Sequence, residues 1–368
     1  MNQFFSRSVN LPILQNNRMQ WVDYLKGIAI VLVVYRHVLI GIERSGIVIP
    51  KILVDANMVF YSFRMPLFFI LAGMFISGSL RKRSVGEFAI IKFENLLYPY
   101  LIWAFLQVTL QIVFADFTNS GRGIIDYAYI LYQPRNLDQF WYLPALFNAT
   151  MIYFLLKKKF KVPVSAQLLL GMTLYILATY ISGISMLSDW MEFYVFFALG
   201  DAISAYFFKE NVQRFFSKSW LLPAIIPLFA VAQWVYLRHP ENYYLDTLQG
   251  KMEFLGISLV GCLTMLILAF RLQNLGILKF FRILGFHSLY IYVMHVFAAA
   301  VTRIIFTTLF GIYDPYSLLI AGIFFGVIIP VLFYNLLIRD NFLWFLFNFR
   351  KKTKDPVSQE IKPASIRT

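Results

Sequence analysis

The sequence predicts an all-α polytopic membrane protein of about ten transmembrane helices, with both termini on the cytoplasmic side. Three observations carry this. Apolar residues make up 60% of the 368 and charged residues only 14%, against roughly a quarter charged in soluble domains, so too few polar side chains exist to coat a globule. Long uncharged runs recur along the chain, each near the ~20 residues a helix needs to cross the hydrocarbon core. Lys and Arg collect in alternate connections, 23 of the 33 on one side against six on the other, and short basic loops are retained in the cytoplasm. The 18% aromatic share excludes disorder and fibrous repeats. The single cysteine, Cys262, excludes an intrachain disulfide.

The elements follow in order. Residues 1–24 are polar, lack a small-x-small cleavage site, and read as an uncleaved cytoplasmic segment. Spans are expected over 25–42, 52–76, 96–115, 139–156, 164–181, 190–208, 220–237, 253–270, 284–306 and 317–338, a single domain over 25–338. Basic residues mark every second connection: Arg81, Lys82, Arg83 and Lys92; Lys157, Lys158, Lys159 and Lys161; Lys209, Arg214 and Lys218; Arg271, Lys279 and Arg282. The basic tail over 339–368 is expected to be cytoplasmic and disordered. The net charge of +14 reads as topology beside anionic lipids rather than as a nucleic-acid surface. An alternative is that Lys157–Lys159 or Arg350–Lys354 draws in an anionic cytoplasmic substrate. The external loop 116–138 is long enough to fold over the outer face. No internal repeat is visible, which counts against a transporter of duplicated halves.

Ionisable residues inside spans are costly and mark function by default. The first span carries Asp23, Lys26, Arg36 and His37. Eleven positions separate Lys26 from His37, three turns plus about 20°, so the two share a face about 16 Å apart along the axis. Asp23 falls on the same stripe and is spaced to pair with Lys26. Arg36 points about 100° away and is expected in another environment. A basic group near the inner surface and an imidazole deeper on the same face suit a ligand lying lengthwise, its charged end at Lys26 and its reacting end at His37. The competing reading is a His37 that bonds a neighbouring helix and a Lys26 that snorkels to the headgroups.

Elsewhere, Arg64 sits midway through the second span beside Pro66, as an oxyanion or glycan contact or as a buried ion pair. His295, with Tyr292 in the same span, either reaches the reaction path or makes an interhelical hydrogen bond. His287 is expected as an interfacial cap and His239 as a loop residue. Trp141 and Tyr142 read as an interfacial belt or a stacking platform for a sugar. Asp201 and Glu253 are further acids near span ends. No His, Asp or Glu grouping has metal-site spacing.

Lys26-x10-His37, behind Trp21-Val22-Asp23-Tyr24-Leu25-Lys26-Gly27, resembles the first-helix signature of the membrane acyltransferase-3 family, whose members include bacterial polysaccharide O-acetylases. Phe63-Arg64-Met65-Pro66-Leu67-Phe68-Phe69 resembles the family's Met-Pro-Leu-Phe-Phe run, with Ala72 before Gly73 in place of the common Ser. Tyr98-Pro99-Tyr100, Trp141-Tyr142-Leu143-Pro144 and Gly285-x-x-Ser288-Leu289-x-Ile291-Tyr292-x-x-His295 resemble later motifs, in order, over roughly 18 to 340. Where many members have Arg-x-x-Arg before the third helix, this chain has Lys92-Phe93-Glu94-Asn95. Only one basic residue of that pair carries over, and Arg81 and Arg83 stand as substitutes.

The resemblance implies acyl transfer, usually of acetyl, from cytoplasmic acyl-CoA to a hydroxyl of a cell-surface glycan or lipid-linked saccharide, in a bacterial inner membrane. It implies His37 as general base or transient acyl carrier, Asp23 as the accompanying acid, and Lys26, Lys92, Arg81 and Arg83 at the donor. Arg36, Arg64, Trp141, Tyr142, Tyr292 and His295 are candidate acceptor or oxyanion contacts. Acyl-CoA would be a co-substrate, with no permanently bound cofactor and no metal. A glycolipid transporter or flippase, needing no base at His37, is the alternative.

Overall fold

A 25-residue helix, α1 (Gln20–Arg44), forms the axis of the molecule. Its apolar residues are so continuous that one side alone cannot be buried, and helices close around it accordingly. The computed structural model describes residues 8–10, 13–14, 19–115, 121–339 and 341–350. After α1 come α2 (Lys51–Val59), α3 (Tyr61–Met74) and α4 (Ile76–Lys82), which form one broken rod. Next are α5 (Val85–Lys92) and α6 (Tyr98–Val113), joined by a π-helical turn over Phe93–Leu97. That turn directly precedes Pro99, whose missing N–H removes one helical hydrogen bond. The remaining main helices are α7 (Tyr142–Lys158), α8 (Val164–Leu177), α9 (Ser185–Phe207), α10 (Glu210–Phe216), α11 (Leu221–Leu237), α12 (Leu248–Leu275), α13 (Phe280–Phe286), α14 (Ser288–Thr308) and α15 (Pro315–Phe333).

The chain is helical throughout, with no strand among the described residues. Seven helices are long and apolar enough to cross a membrane, and an eighth counts if α9 and α10, bent by 107°, form one span. Helices α7 and α11 coincide with the other two expected spans, at 17 residues each. The second and third spans run longer than expected, because Arg81 and Lys82 lie on α4 and Lys92 on α5, leaving Arg83 and Ser84 as the break between them.

Helix α1 packs against α3, α12, α13, α14 and α15. Two crossings are so close that only glycine fits. A Cβ at Gly27 would lie 2.0 Å from the Phe281 carbonyl oxygen, and one at Gly285 would lie 1.9 Å from that of Asp23. Between α3 and α9, a Cβ at Gly73 would meet Phe197 O at 2.0 Å and one at Gly200 would meet Ile70 O at 2.1 Å. Small residues let backbones touch where apolar burial cannot drive association, as in lipid.

Contacts at the helix ends gather the basic connections together. Trp21 N donates to Gln273 at 2.9 Å, Asn274 to Ser217 O at 2.9 Å, Lys158 Nζ to Leu80 O at 2.7 Å, and Lys157 pairs with Asp201. The starts of α1 and the ends of α4, α7, α9 and α12 therefore share one end of the bundle.

At the opposite end residues 121–141 fold across the helices, as their length suggested. Leu137, Gln139 and Phe140 are fully buried there. The tail differs from expectation at its start. Phe342–Leu346 forms a 3-10 turn whose carbonyls accept from Tyr98 OH (2.7 Å to Phe345 O) and Trp103 Nε1 (3.0 Å to Leu346 O). Its aromatic residues find the side of α6. The expectations for 1–7 and 351–368 lie outside the described residues.

Candidate active site

On α1, residues Val33, Arg36, His37, Ile40 and Arg44 recur at three- and four-residue intervals and line one wall of a cavity of about 230 Å³. Other walls come from Tyr61, Arg64, Met65 and Pro66 of α3, Glu192 and Phe193 of α9, and Tyr236 of α11. Arg135, Asp138 and Trp141 of the folded-over loop roof it. The cavity thus opens at the end away from the basic connections.

His37 faces this space with His295 behind it. Their ring centroids are 5.1 Å apart at 63°. His295 is fully buried, and its Nδ1 lies 2.8 Å from Tyr292 O and 3.0 Å from Ile291 O. A carbonyl can only accept, so Nδ1 carries the hydrogen. The neutral ring then has a lone pair at Nε2, which bonds no protein atom among the described residues and points away from its own helix. Tyr292 and Tyr142 pack edge to face at 5.3 Å beneath the site rather than in its wall.

The guanidiniums are placed by different partners. Arg64 is 2% exposed and donates through Nη1 to Leu32 O (2.7 Å) and Asn57 Oδ1 (3.1 Å). Tyr61 lies under both Arg36 (4.5 Å) and Arg64 (5.3 Å). This corrects the expectation that Arg36 faces a separate environment: the ring draws it round the helix into the cavity beside His37. Arg135 bonds Asp189 Oδ1 from Nε (2.9 Å) and Nη2 (2.6 Å), lies 3.9 Å from Glu192, and stacks 4.5 Å over Trp141. Arg44 pairs with Asp138 at 2.8 Å.

The donor-side candidates lie elsewhere. Helix α1 is unbroken, so Lys26 is about 16 Å from His37 along the axis. It acts electrostatically on Lys92, as does Arg83, and Lys92 Nζ lies 5.3 Å over Phe88. Arg81 is exposed at the end of α4. Asp23 is 1% exposed at the α1–α13 crossing, and the structure does not bring it to His37.

The sequence from residue 19 to 335 matches the acyltransferase domain of the acyltransferase-3 family. The chain belongs to this family. A second likeness is to nodulation protein NolL of Sinorhizobium fredii, 32% identical over 151 residues. That alignment covers 39% of this chain and 37% of NolL, so the chain matches little more than a third of its relative's length. No solved structure matches.

Within this acyltransferase-3 domain the structure brings His37, Arg36, Arg64 and Trp141 to one cavity with His295 packed behind His37, and sets Lys26, Lys92 and Arg83 together at the other end. Sequence reasoning missed Asn57, Arg135, Asp189 and Glu192. Two signals were present: Asp189 and Glu192 are acids at i,i+3 at the head of an apolar span, and Asn57 is two turns before Arg64. His287 is no interfacial cap. It is fully buried, with Nδ1 bonded to Ile283 O (2.7 Å) and Nε2 to Asn335 (3.0 Å). Asp201 and Glu253 bond Tyr153 and Tyr243 respectively, and His239 stacks on Tyr243.

Proposed function

We propose that this protein transfers an acyl group, acetyl in the first instance, from cytoplasmic acyl-CoA to a hydroxyl of a cell-surface glycan or lipid-linked saccharide. The observation that carries this reading is the His37–His295 pair at the wall of an arginine-lined cavity. The lone pair of His295 Nε2, 5.1 Å from His37 by ring centroids, favours a hydrogen on the near nitrogen of His37, which leaves the far nitrogen basic toward the cavity. That nitrogen takes the proton of the acceptor hydroxyl as its oxygen attacks the thioester carbonyl. The C–O bond forms, the C–S bond breaks, and the proton passes to the departing CoA sulfur, giving ester and free thiol. Transient acylation of His37 follows the same balance in two steps. Arg36 and Arg64 line the same cavity as His37.

The donor's phosphates would sit at the far end, where Lys26, Lys92 and Arg83 cluster, with Arg81 nearby. The pantetheine arm would cover the ~16 Å to His37 along α1. This requires the basic end to face the cytoplasm of a bacterial inner membrane, as the distribution of Lys and Arg favours. Asp23, buried at the α1–α13 crossing and more than three helical turns from His37, is assigned no part in proton transfer.

The test is mass spectrometry of surface glycans from cells lacking the gene, restored with wild type, or restored with His37→Ala. One acyl mass per repeat should return with wild type, and fall by roughly 10²–10⁴-fold in rate with His37→Ala at equal membrane content. Undiminished acylation in the variant would refute the role of His37. Unchanged acylation with glycan retained inside the cell would favour a flippase.

A further inference from the structure

The four guanidiniums of the cavity fall into two classes. Arg44 and Arg135 have carboxylate partners in Asp138 and Asp189. Arg36 and Arg64 have none within ion-pairing distance among the described residues, although they stand over one tyrosine ring. Arg64 is nearly inaccessible, is fixed by Leu32 and Asn57, and keeps a buried Nη2 that bonds no protein atom among the described residues. Tyr61 presents the negative face of its ring to both.

Two like charges held close in a low-dielectric wall repel, and a buried cation without a counter-charge is costly. The fold nonetheless maintains Arg64 rigidly in that position. A transition-state oxyanion does not account for the pair, since it exists only briefly and one donor serves it. The donor's phosphates do not either, because their candidate partners lie about 16 Å away along α1. The charge that offsets Arg36 and Arg64 must arrive with the other substrate.

We propose that the acceptor is anionic: a saccharide bearing a carboxylate or phosphate whose oxygens bond the cavity-lining guanidiniums of Arg36 and Arg64 while its hydroxyl reaches His37. Guanidinium forks match both oxyanion types. The paired acids Asp138, Asp189 and Glu192 then keep the roof of the cavity from drawing the anion away from His37, because Arg44 and Arg135 are already neutralised. The inference rests on the acyl-transfer reading above and narrows its acceptor.

The experiment uses the full chain in phosphatidylcholine nanodiscs, whose headgroups carry no net charge. Thermal unfolding is followed with D-glucuronate, D-glucose 6-phosphate or D-glucose added. Anything that binds only the folded state raises the midpoint. Glucuronate or the phosphate should raise it, and whichever does identifies the anion, while glucose should leave it unchanged. Both Arg64→Gln and Arg36→Gln should abolish the shift. Arg36→Gln guards against misfolding, because its side chain is part-exposed and relief of the repulsion should keep its unliganded midpoint at or above that of wild type. An equal shift with glucose, no shift with either anion, or a shift that survives both substitutions would overturn the proposal. No acyl transfer enters this readout, so a failed transfer assay counts against the proposed function and not against the anion site.

Discussion

His295 shows how much a single hydrogen bond decides. Because Nδ1 donates to two carbonyls of its own helix, the ring is fixed in tautomer and orientation, and its remaining lone pair can act on His37. A positioning residue of this kind should affect the rate more than binding. His295→Phe is expected to lower kcat by at least about ten-fold, with the KM for acyl-CoA unchanged and the pH–rate profile displaced. An unchanged pH profile beside lowered kcat would reduce His295 to packing. His37 was legible in the sequence from its spacing to Lys26. The place of His295 beside it was not, because 258 residues of chain separate the two and no local pattern records that meeting.

At the scale of elements, the glycine crossings fix where α1 and α3 stand. Gly73→Ala would drive a methyl into the Phe197 carbonyl, and Gly285→Ala would do the same at Asp23. Each is expected to destabilise by about 1–3 kcal/mol, read as a lower unfolding midpoint in nanodiscs. Gly78→Ala, which meets nothing within 4 Å, should be neutral and serves as the control. The start of α15 carries a pH-dependent cap. Asp314 accepts from Ser317 N at 2.8 Å, and that backbone bond holds its carboxyl below the usual carboxylate range. Its stabilising effect is present above the ordinary Asp value and lost as pH falls through the depressed one. Amide exchange at Ser317 should therefore accelerate, after correction for intrinsic rates, only at strongly acidic pH. Asp314→Ala should show the fast rate at neutral pH.

For the molecule as a whole, the collection of basic connections at one end makes orientation testable. Cys262 is buried and its sulfur lies 3.7 Å from Phe63 O. A Cys262→Ser background can therefore carry reporters at Ile124, which is 83% exposed at the cavity end, and at Lys158 at the basic end. An impermeant maleimide should label Ile124→Cys in intact cells and Lys158→Cys only after lysis. The reverse pattern would invert the protein and place the His37 cavity on the donor side.

The sequence by itself determined the membrane environment, the helical class, the uneven distribution of basic residues and the first-helix pair Lys26 and His37. These follow from composition and from periodicity within one element, where physics is local: apolar length spans lipid, and 100° per residue sets a face. Only the tertiary structure decided that Arg36 shares the cavity with His37, that Asp23 does not, and that Arg135, Asp189 and Glu192 close the roof. It also decided that Arg36 and Arg64 have no carboxylate partner among the described residues. Each of these depends on which helices touch, and in an apolar bundle that is set by small-residue contacts and a few long-range polar bonds. Helices with apolar residues on every side leave no pattern from which a partner can be read.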